Sequence, residues 1–251
     1  MMNAVGFKSN KGIKRSNNED ACFIMPKEQV FMVADGVGGN NSGELASRTA
    51  VTLVAEYVRE HPLDKVRGEE ALRRYFEACI GHANGEIVRL AGKHDKNRGM
   101  ATTLIVCHLR GTKGFLVNVG DSRAYVFRNG ELFQITEDHS YVNSLVKMGV
   151  ITEEEAVGHH KSHVITRALG AEDDIAPDFY QTHLREGDLL LLCTDGLYGE
   201  LGTDKLCRIL ETETQMSALA EKLISEANKA GGSDNITVIC IRIQGGNADE
   251  Q

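Results

Sequence analysis

Carboxylates recur at the margins of apolar runs. Val33-Ala34-Asp35-Gly36, Val119-Gly120-Asp121-Ser122, Cys193-Thr194-Asp195-Gly196 and Ser233-Asp234-Asn235-Ile236 each set an aspartate where a β-like run begins or ends. The acidic pair Glu19-Asp20 opens another run, Ala21-Cys22-Phe23-Ile24-Met25. Such a set gathers carboxylates at one end of a sheet. Crowded carboxylates repel, and each costs free energy unless a cation neutralises it. Hard oxygen donors without a matching His/Cys set favour Mg²⁺ or Mn²⁺ over zinc or copper. The chemistry implied is metal-assisted.

Taken alone, Asp-Gly after a strand signals a hairpin turn. Here Asp35-Gly36 and Asp195-Gly196 each lead into a helix start, with no strand returning at once. A glycine beside a ligand also lets its backbone carbonyl approach a metal closely. Arg15 stands four residues before Glu19. Next to an acidic site that draws anions through its metals, a planar guanidinium suits bidentate phosphate binding.

The elements that must position these groups follow from periodicity. Short strands are expected at Val5 to Lys8, Ala21 to Met25 and Val30 to Ala34. A helix from Asn41, with Asn41 and Glu44 at capping-box spacing, carries Ala46, Ala50, Leu53, Val54 and Tyr57 on one face. A second, from Gly68, carries Leu72, Phe76, Cys79, Ala83 and Ile87. Strands return at Thr102 to Leu109, Phe115 to Val119, Ala124 to Phe127 and Leu132 to Ile135, with Asn129-Gly130 as a hairpin turn. Short helices at Tyr141 to Gly149 and Thr152 to Val157 precede a mobile polar loop containing His159, His160 and His163. Strands at Phe179 to Leu184 and Asp188 to Cys193, helices at Asp204 to Leu210 and Met216 to Lys229, and a central strand at Asn235 to Ile243 complete the chain. Strands in groups separated by paired helices predict an α+β fold.

With 251 residues and the acids spread from Asp20 to Asp234, one domain is expected. The formal charge of −8 argues against a nucleic-acid-coating surface. Two or three divalent ions would offset roughly four to six of those charges. Six cysteines without C-x-x-C spacing read as reduced thiols, and Cys107, Cys193 and Cys240 read as buried small hydrophobes. The N-terminal residues lack a signal-peptide pattern and no stretch reaches membrane-spanning length, so a cytoplasmic protein is expected. Histidines clustered in a loop without nearby cysteines do not make a zinc site.

The ordered motifs Arg15-x-x-Asn18-Glu19-Asp20, Asp35-Gly36-Val37-Gly38-Gly39, Gly99-Met100-Ala101-Thr102-Thr103, Val119-Gly120-Asp121-Ser122-Arg123, Asp138-His139-Ser140, Ile165-Thr166-Arg167-Ala168-Leu169-Gly170, Thr194-Asp195-Gly196 and Ser233-Asp234-Asn235-Ile236-Thr237 resemble those of the metal-dependent (type 2C, PPM) protein serine/threonine phosphatases. The resemblance is to the compact bacterial branch and covers nearly the whole chain. It implies an αββα sandwich of two antiparallel sheets flanked by helix pairs, with the metal site at one end. It implies a catalytic domain over 1–244 with a flap at about 140–176, while the tail over 245–251 reads as disordered from its own residues.

By the same resemblance, Asp35 bridges two metals, the carbonyl of Gly36 binds one of them, and Asp195 and Asp234 complete the other. Glu19 and Asp20 hold metal-bound waters, Asp121 binds a third and weaker metal, and Asn235 orients rather than ligates. Arg15 holds the phosphate. Two Mn²⁺ or Mg²⁺ ions and a third weaker one are implied, with direct attack on phosphorus by a metal-bridging hydroxide. Many eukaryotic members carry His after Asp-Gly as leaving-group acid; this chain has Val37, so a metal-held water is expected to supply that proton, His139 being the side-chain alternative. The partners implied are phosphorylated proteins, a cognate Ser/Thr kinase among them, for a monomer without nucleic-acid or membrane partners.

Other chemistries fit less well. No G-x-x-x-x-G-K-[ST] supports a nucleotide-triphosphatase, and no cysteine has the C-x5-R spacing of a cysteine-based phosphatase. A different two-metal phosphoesterase would share the acids, and a nuclease of that kind would add a basic groove. A catalytically weak phosphoprotein-binding regulator would be expected to have lost a bridging acid, whereas all are present.

Overall fold

The computed structural model describes residues 3–38 and 42–244. The expected cap at Asn41, Gly39 and the 245–251 tail lie outside the described residues. The elements in order are β1 (Ala4–Asn10), β2 (Asp20–Met25), β3 (Val30–Val37), α1 (Ser42–Glu60), α2 (Glu69–Lys93), β4 (Ala101–Thr102), β5 (Leu104–Arg110), β6 (Lys113–Val119), β7 (Arg123–Arg128) and β8 (Glu131–Gln134). They continue with α3 (Tyr141–Lys147), α4 (Glu153–Ala156), β9 (Asp178–His183), β10 (Leu189–Cys193), α5 (Asp195–Tyr198), α6 (Thr203–Thr212), α7 (Met216–Ala230) and β11 (Ile236–Arg242).

One antiparallel sheet has the order β1-β11-β10-β7-β8 and the other β2-β3-β5-β6-β9, with β4 paired to β3. The expected α+β sandwich is what forms. Period-2 alternation assigns the side chains to layers. Phe31 and Val33 of β3 meet Leu190 and Leu192 of β10 and Ile239 and Ile241 of β11 between the sheets. The intervening Met32 and Ala34 pack outward against Ala50 and Val54 of α1 and Phe76 and Ile80 of α2. On the other side, Leu189 and Leu191 of β10 and Val238 and Cys240 of β11 meet Leu206 of α6 and Leu219 and Leu223 of α7. Strands covered on both faces need apolar residues at every position, which is why β10 and β11 read as continuous apolar runs. The expected central place of the last strand is borne out, since β11 lies between β1 and β10.

The Asn129-Gly130 turn joins β7 to β8 with φ of 53° and 85°, as a type I′ hairpin requires. The single strand expected over Thr102 to Leu109 is instead broken at Thr103 into β4 and β5. The reason is local: Thr103 turns both its N–H and its hydroxyl to the Asp35 backbone, at 2.9 Å each. Residues 140–176 carry α3 and α4, capped by Ser140 and by a Thr152/Glu155 capping box. The segment is tied back by bridges Ser140↔Ile165 and Thr102↔Leu169. His160 and His163 are exposed within it. Among the described residues, no helix is long and apolar enough to cross a membrane.

The helix pairs sit close enough on the sheets to forbid side chains at some positions. A Cβ on Gly6 of β1 would fall 1.9 Å from the carbonyl oxygen of Met216, at the start of α7. On Gly81 of α2 it would meet nothing within 4 Å. In urea denaturation, Gly6→Ala is expected to lower stability by about 1–3 kcal/mol or more, and Gly81→Ala to raise it by roughly 0.5–1 kcal/mol. A wild-type midpoint for Gly6→Ala would contradict the close seating of α7 on β1.

Candidate active site

The strand ends carry the acids to one place. Asp20 opens β2 and pairs across the ladder with Asp35 near the end of β3. Asp121 follows β6, Asp195 follows β10 and opens α5, and Asp234 precedes β11. Asp20, Asp35, Asp121, Asp195 and Asp234 thereby converge on one basin, in which Asp195 adjoins each of the other four. Asp35 and Asp195 lie within hydrogen-bonding reach of each other.

Glu19 reaches the same region from the other side of β2. Its Oε1 accepts from Asn17 Nδ2 at 3.0 Å. Its Oε2 and the Gly36 carbonyl oxygen both crowd Gly43 at the start of α1, where a Cβ would stand 2.6 Å and 2.8 Å from them. Glycine at 43 keeps that carboxylate and that carbonyl side by side. Arg15 lies at the basin's exposed rim, with Nη2 2.6 Å from Asp234 Oδ2. Asn235 takes no place among the acids. Its Oδ1 accepts from the Glu19 N–H at 2.7 Å, and its Nδ2 donates to the carbonyls of Lys11 and Asn17 at 2.9 and 2.8 Å, clipping the 11–19 loop to the head of β11.

A belt of hydroxyls, which the sequence reading did not single out, holds the acids in register. Thr194 Oγ1 donates to Asp20 Oδ2 at 2.9 Å and accepts from the Thr237 N–H at 2.9 Å, joining the two sheets. Thr102 Oγ1 donates to the Asp35 carbonyl at 2.9 Å, and Thr103 Oγ1 lies 2.8 Å from Ser122 Oγ, beside Asp121. The signal was present in sequence: Thr194, Ser122 and Thr237 each stand within three residues of an acid. Tyr198 donates its hydroxyl to the Asp121 carbonyl at 2.9 Å, and Arg123, paired through two nitrogens with Asp138, stacks 3.7 Å over the Tyr198 ring.

His139 is buried with both ring nitrogens engaged. Nδ1 accepts from the Gly120 N–H at 3.0 Å, which assigns the proton of the neutral ring to Nε2, 3.2 Å from Asp178 Oδ2 and 3.1 Å from Arg167 Nη1. Burial lowers its pKa, so the ring is neutral. With both nitrogens committed, it is not placed as a leaving-group acid. Val37, at the end of β3, is partly exposed and offers no proton.

Burial raises the carboxyl pKa values, and neighbouring charge adds to it. Asp20 is pushed up to about 7 by burial, against hydrogen bonds from Thr237 and Thr194 and with repulsion from Asp195 and Asp234. Asp121 is pushed up to about 7 by burial and by Asp195 and Asp138. Asp35 is held well above the carboxylate range by burial and by Asp20 and Asp195, and Asp195 is raised by burial and by Asp234. Asp20 Oδ1 and Asp195 Oδ1 are buried without any hydrogen-bond partner. Orphaned acceptor oxygens among mutually repelling carboxylates fit divalent cations that take oxygen ligands. Among the described residues no group of three or more Asp, Glu, His or Cys side chains is drawn together so that it could hold a metal ion as it stands. An open acidic basin suits Mg²⁺-type ions, which keep several waters.

A carboxyl whose folded pKa lies above its unfolded value binds more protons folded than unfolded between the two. For Asp20 and Asp121 that window runs from the ordinary aspartate value up to about 7. Their contribution is therefore complete below the window and lost as pH rises through it, by on the order of 1 kcal/mol per pH unit per group. The metal-free protein is expected to melt at lower temperature at about pH 8 than at about pH 5, with Mn²⁺ restoring the loss at about pH 8. A metal-free melting temperature that climbs across that range, or one that Asp121→Asn fails to flatten, would remove the crowded-carboxylate account.

Comparison with known proteins agrees with this geometry. The family model described as Protein phosphatase 2C matches residues 12–237. The chain is 34% identical over 238 residues to the serine/threonine phosphatase stp of Listeria innocua, covering 94% of each. It is 36% identical over 233 residues to the protein phosphatase PhpP of Streptococcus pneumoniae, covering 92% of this chain and 93% of that one. Its fold matches the catalytic domain of the serine/threonine protein phosphatase PstP, solved in complex with two manganese ions, with a TM-score of 0.84 at 32% identity over 97% of this chain and 99% of that one. The αββα arrangement, the acidic basin and these likenesses place the chain in the protein phosphatase 2C family, as a metal-dependent protein serine/threonine phosphatase.

Proposed function

We propose that the basin is the catalytic centre, that it works with two divalent ions and a third weaker one, and that Mn²⁺ or Mg²⁺ serves. The observation that carries this reading is the pair of buried, unpartnered oxygens on Asp20 and Asp195 within a ring of aspartates. Asp35 adjoins Asp20 and Asp195 and leads directly into Gly36, whose carbonyl crowds Gly43 together with Glu19. In this reading Asp35 would be the bridging ligand, with the Gly36 carbonyl, Asp195 and Asp234 completing the two ions, Asp20 and Glu19 acting through water and Asp121 serving the weaker ion. When bound, divalent ions supply an activated water and neutralise charge growing on the phosphoryl oxygens during in-line displacement.

The chain's own groups do the rest. Arg15, exposed at the rim and paired in the structure with Asp234, would take two phosphoryl oxygens once cations neutralise that acid, and would aim the phosphorus at the basin. The hydroxyl belt keeps the acids from spreading apart. Cys193, next to the basin, is buried and its thiol is pushed above its ordinary range by burial, so it is not set up as a nucleophile. Direct hydrolysis by an activated water, without a phosphoenzyme, is the mechanism of this reading. Phosphoproteins are the substrates in this family, and we assign as natural substrates those of a Ser/Thr kinase acting in the same compartment. Residues 1–244 would act as one catalytic unit, a monomer in the cytoplasm.

Phosphate release from a phosphothreonine peptide by the metal-stripped protein is expected to appear on adding Mn²⁺ or Mg²⁺. Asp35→Asn and Asp195→Asn are expected to lower kcat by at least about a thousandfold, and Arg15→Lys mainly to raise KM, because the planar fork is lost. Mn²⁺ binding without turnover would favour a phosphoprotein-binding regulator. Wild-type activity in Asp35→Asn would overturn the site.

A further inference from the structure

His139 stands outside the acidic basin, yet its bonds lead to it. Gly120, directly before Asp121, has a φ of +105°. A Cβ there would fall 2.5 Å from Thr103 Cγ2, so the turn is pressed onto the threonine that holds Asp35. His139 grips this glycine from both ends. Its ring Nδ1 accepts the Gly120 N–H at 3.0 Å, and its own N–H donates to the Gly120 carbonyl at 2.9 Å. On its far side Nε2 meets Asp178 Oδ2 at 3.2 Å, while Arg167 Nη1 donates to Asp178 Oδ1 and to the Ala176 carbonyl, each at 2.9 Å. The His139 carbonyl accepts from the Thr166 N–H at 2.8 Å. The closing part of the 140–176 segment and the Asp121 turn are thus joined through one buried imidazole.

We propose that His139 is a positioning residue: it fixes Asp121 in the basin through Gly120, and it makes that hold depend on how residues 165–178 are seated. The inference rests on the reading of Asp121 as a cation ligand. Loss of the ring leaves a buried N–H without its acceptor in a turn that must keep a positive φ, and the aspartate it carries is then free to swing. The side chains that could substitute are distinguishable. The Oδ1 of an asparagine falls near the place of Nδ1 and can accept from Gly120, whereas the amide of a glutamine falls near Nε2 and reaches only towards Asp178.

The test is Mn²⁺ binding to the purified full chain by isothermal titration calorimetry, a readout independent of turnover. Asp121→Asn is expected to weaken or abolish the weakest binding step. His139→Ala is expected to weaken that same step by about tenfold and to spare the tighter steps, with no further loss when combined with Asp121→Asn. His139→Asn should recover most of the affinity and His139→Gln should not. Asp178→Ala should move the same step in the same direction. If Asp121→Asn alters binding while His139→Ala does not, the positioning role is wrong and the metal reading stands. If Asp121→Asn leaves every step unchanged, the assignment of Asp121 falls and the inference with it. Uniform weakening of all steps by His139→Ala, unrelieved by His139→Asn, would mark the ring as a packing residue only and overturn the proposal.

Discussion

Repulsion among Asp20, Asp35, Asp121, Asp195 and Asp234 has to be borne by the scaffold until cations offset it. Each acid is anchored to a different strand end, and those strands belong to two sheets. A single sheet cannot bring so many carboxylates together, because neighbouring strands are ~4.8 Å apart and lie in a row. Two facing sheets can. Asp20 and Asp35 come from one, Asp195 and Asp234 from the other, and Asp121 from the crossing between β6 and β7. The αββα arrangement is in this sense a device for closing a ring of like charges.

Holding that ring requires bonds that run between the sheets at the level of the charges. Thr194 supplies one, linking Asp20 of the first sheet with the Thr237 backbone of the second. Asn235 supplies another, binding the 11–19 loop to β11. Within the second sheet the ends of β10 and β11 are pressed together as well: a Cβ on Gly196 would fall 2.0 Å from the Asn235 carbonyl oxygen. The apolar layers below, with Val33, Leu192 and Ile239 at their centre, provide the stability against which the charged end is strained. Polar cross-links of this kind fix position more than they add to stability, since a satisfied buried hydrogen bond contributes only ~1 kcal/mol net.

Much of this was legible in the sequence, for reasons that differ by element. Runs such as Leu189 to Cys193 and Ile236 to Ile241 could only be covered on both faces, and α7 displayed its buried stripe openly. The aspartates were legible because turn chemistry alone did not account for Asp-Gly before a helix. What sequence did not yield was whatever depended on the register between distant strands. The break at Thr103 follows from its two hydrogen bonds with the Asp35 backbone, 68 residues away. The meeting of Glu19 with the Gly36 carbonyl over Gly43 follows from how tightly α1 seats on β3. His139 looked like a possible proton donor because its chemistry is plain in sequence, while the partners that occupy both its nitrogens, Gly120 and Asp178, are not.

Arg15 shows how charge at the rim ties the parts of the proposed reading together. Its guanidinium is the counter-ion of Asp234 in the structure, and Asp195 and Asp35 also favour its charge. A planar fork committed to a carboxylate cannot at the same time present both of its arms to a phosphate. Under the proposed reading, cations that neutralise Asp234 would weaken that pairing and free the guanidinium to meet an incoming phosphoryl group. Loading of the basin and recognition of the substrate would then be coupled through one side chain, and by linkage the coupling would be reciprocal: phosphate held by Arg15 would strengthen cation binding at Asp234 as much as the cation would strengthen phosphate binding.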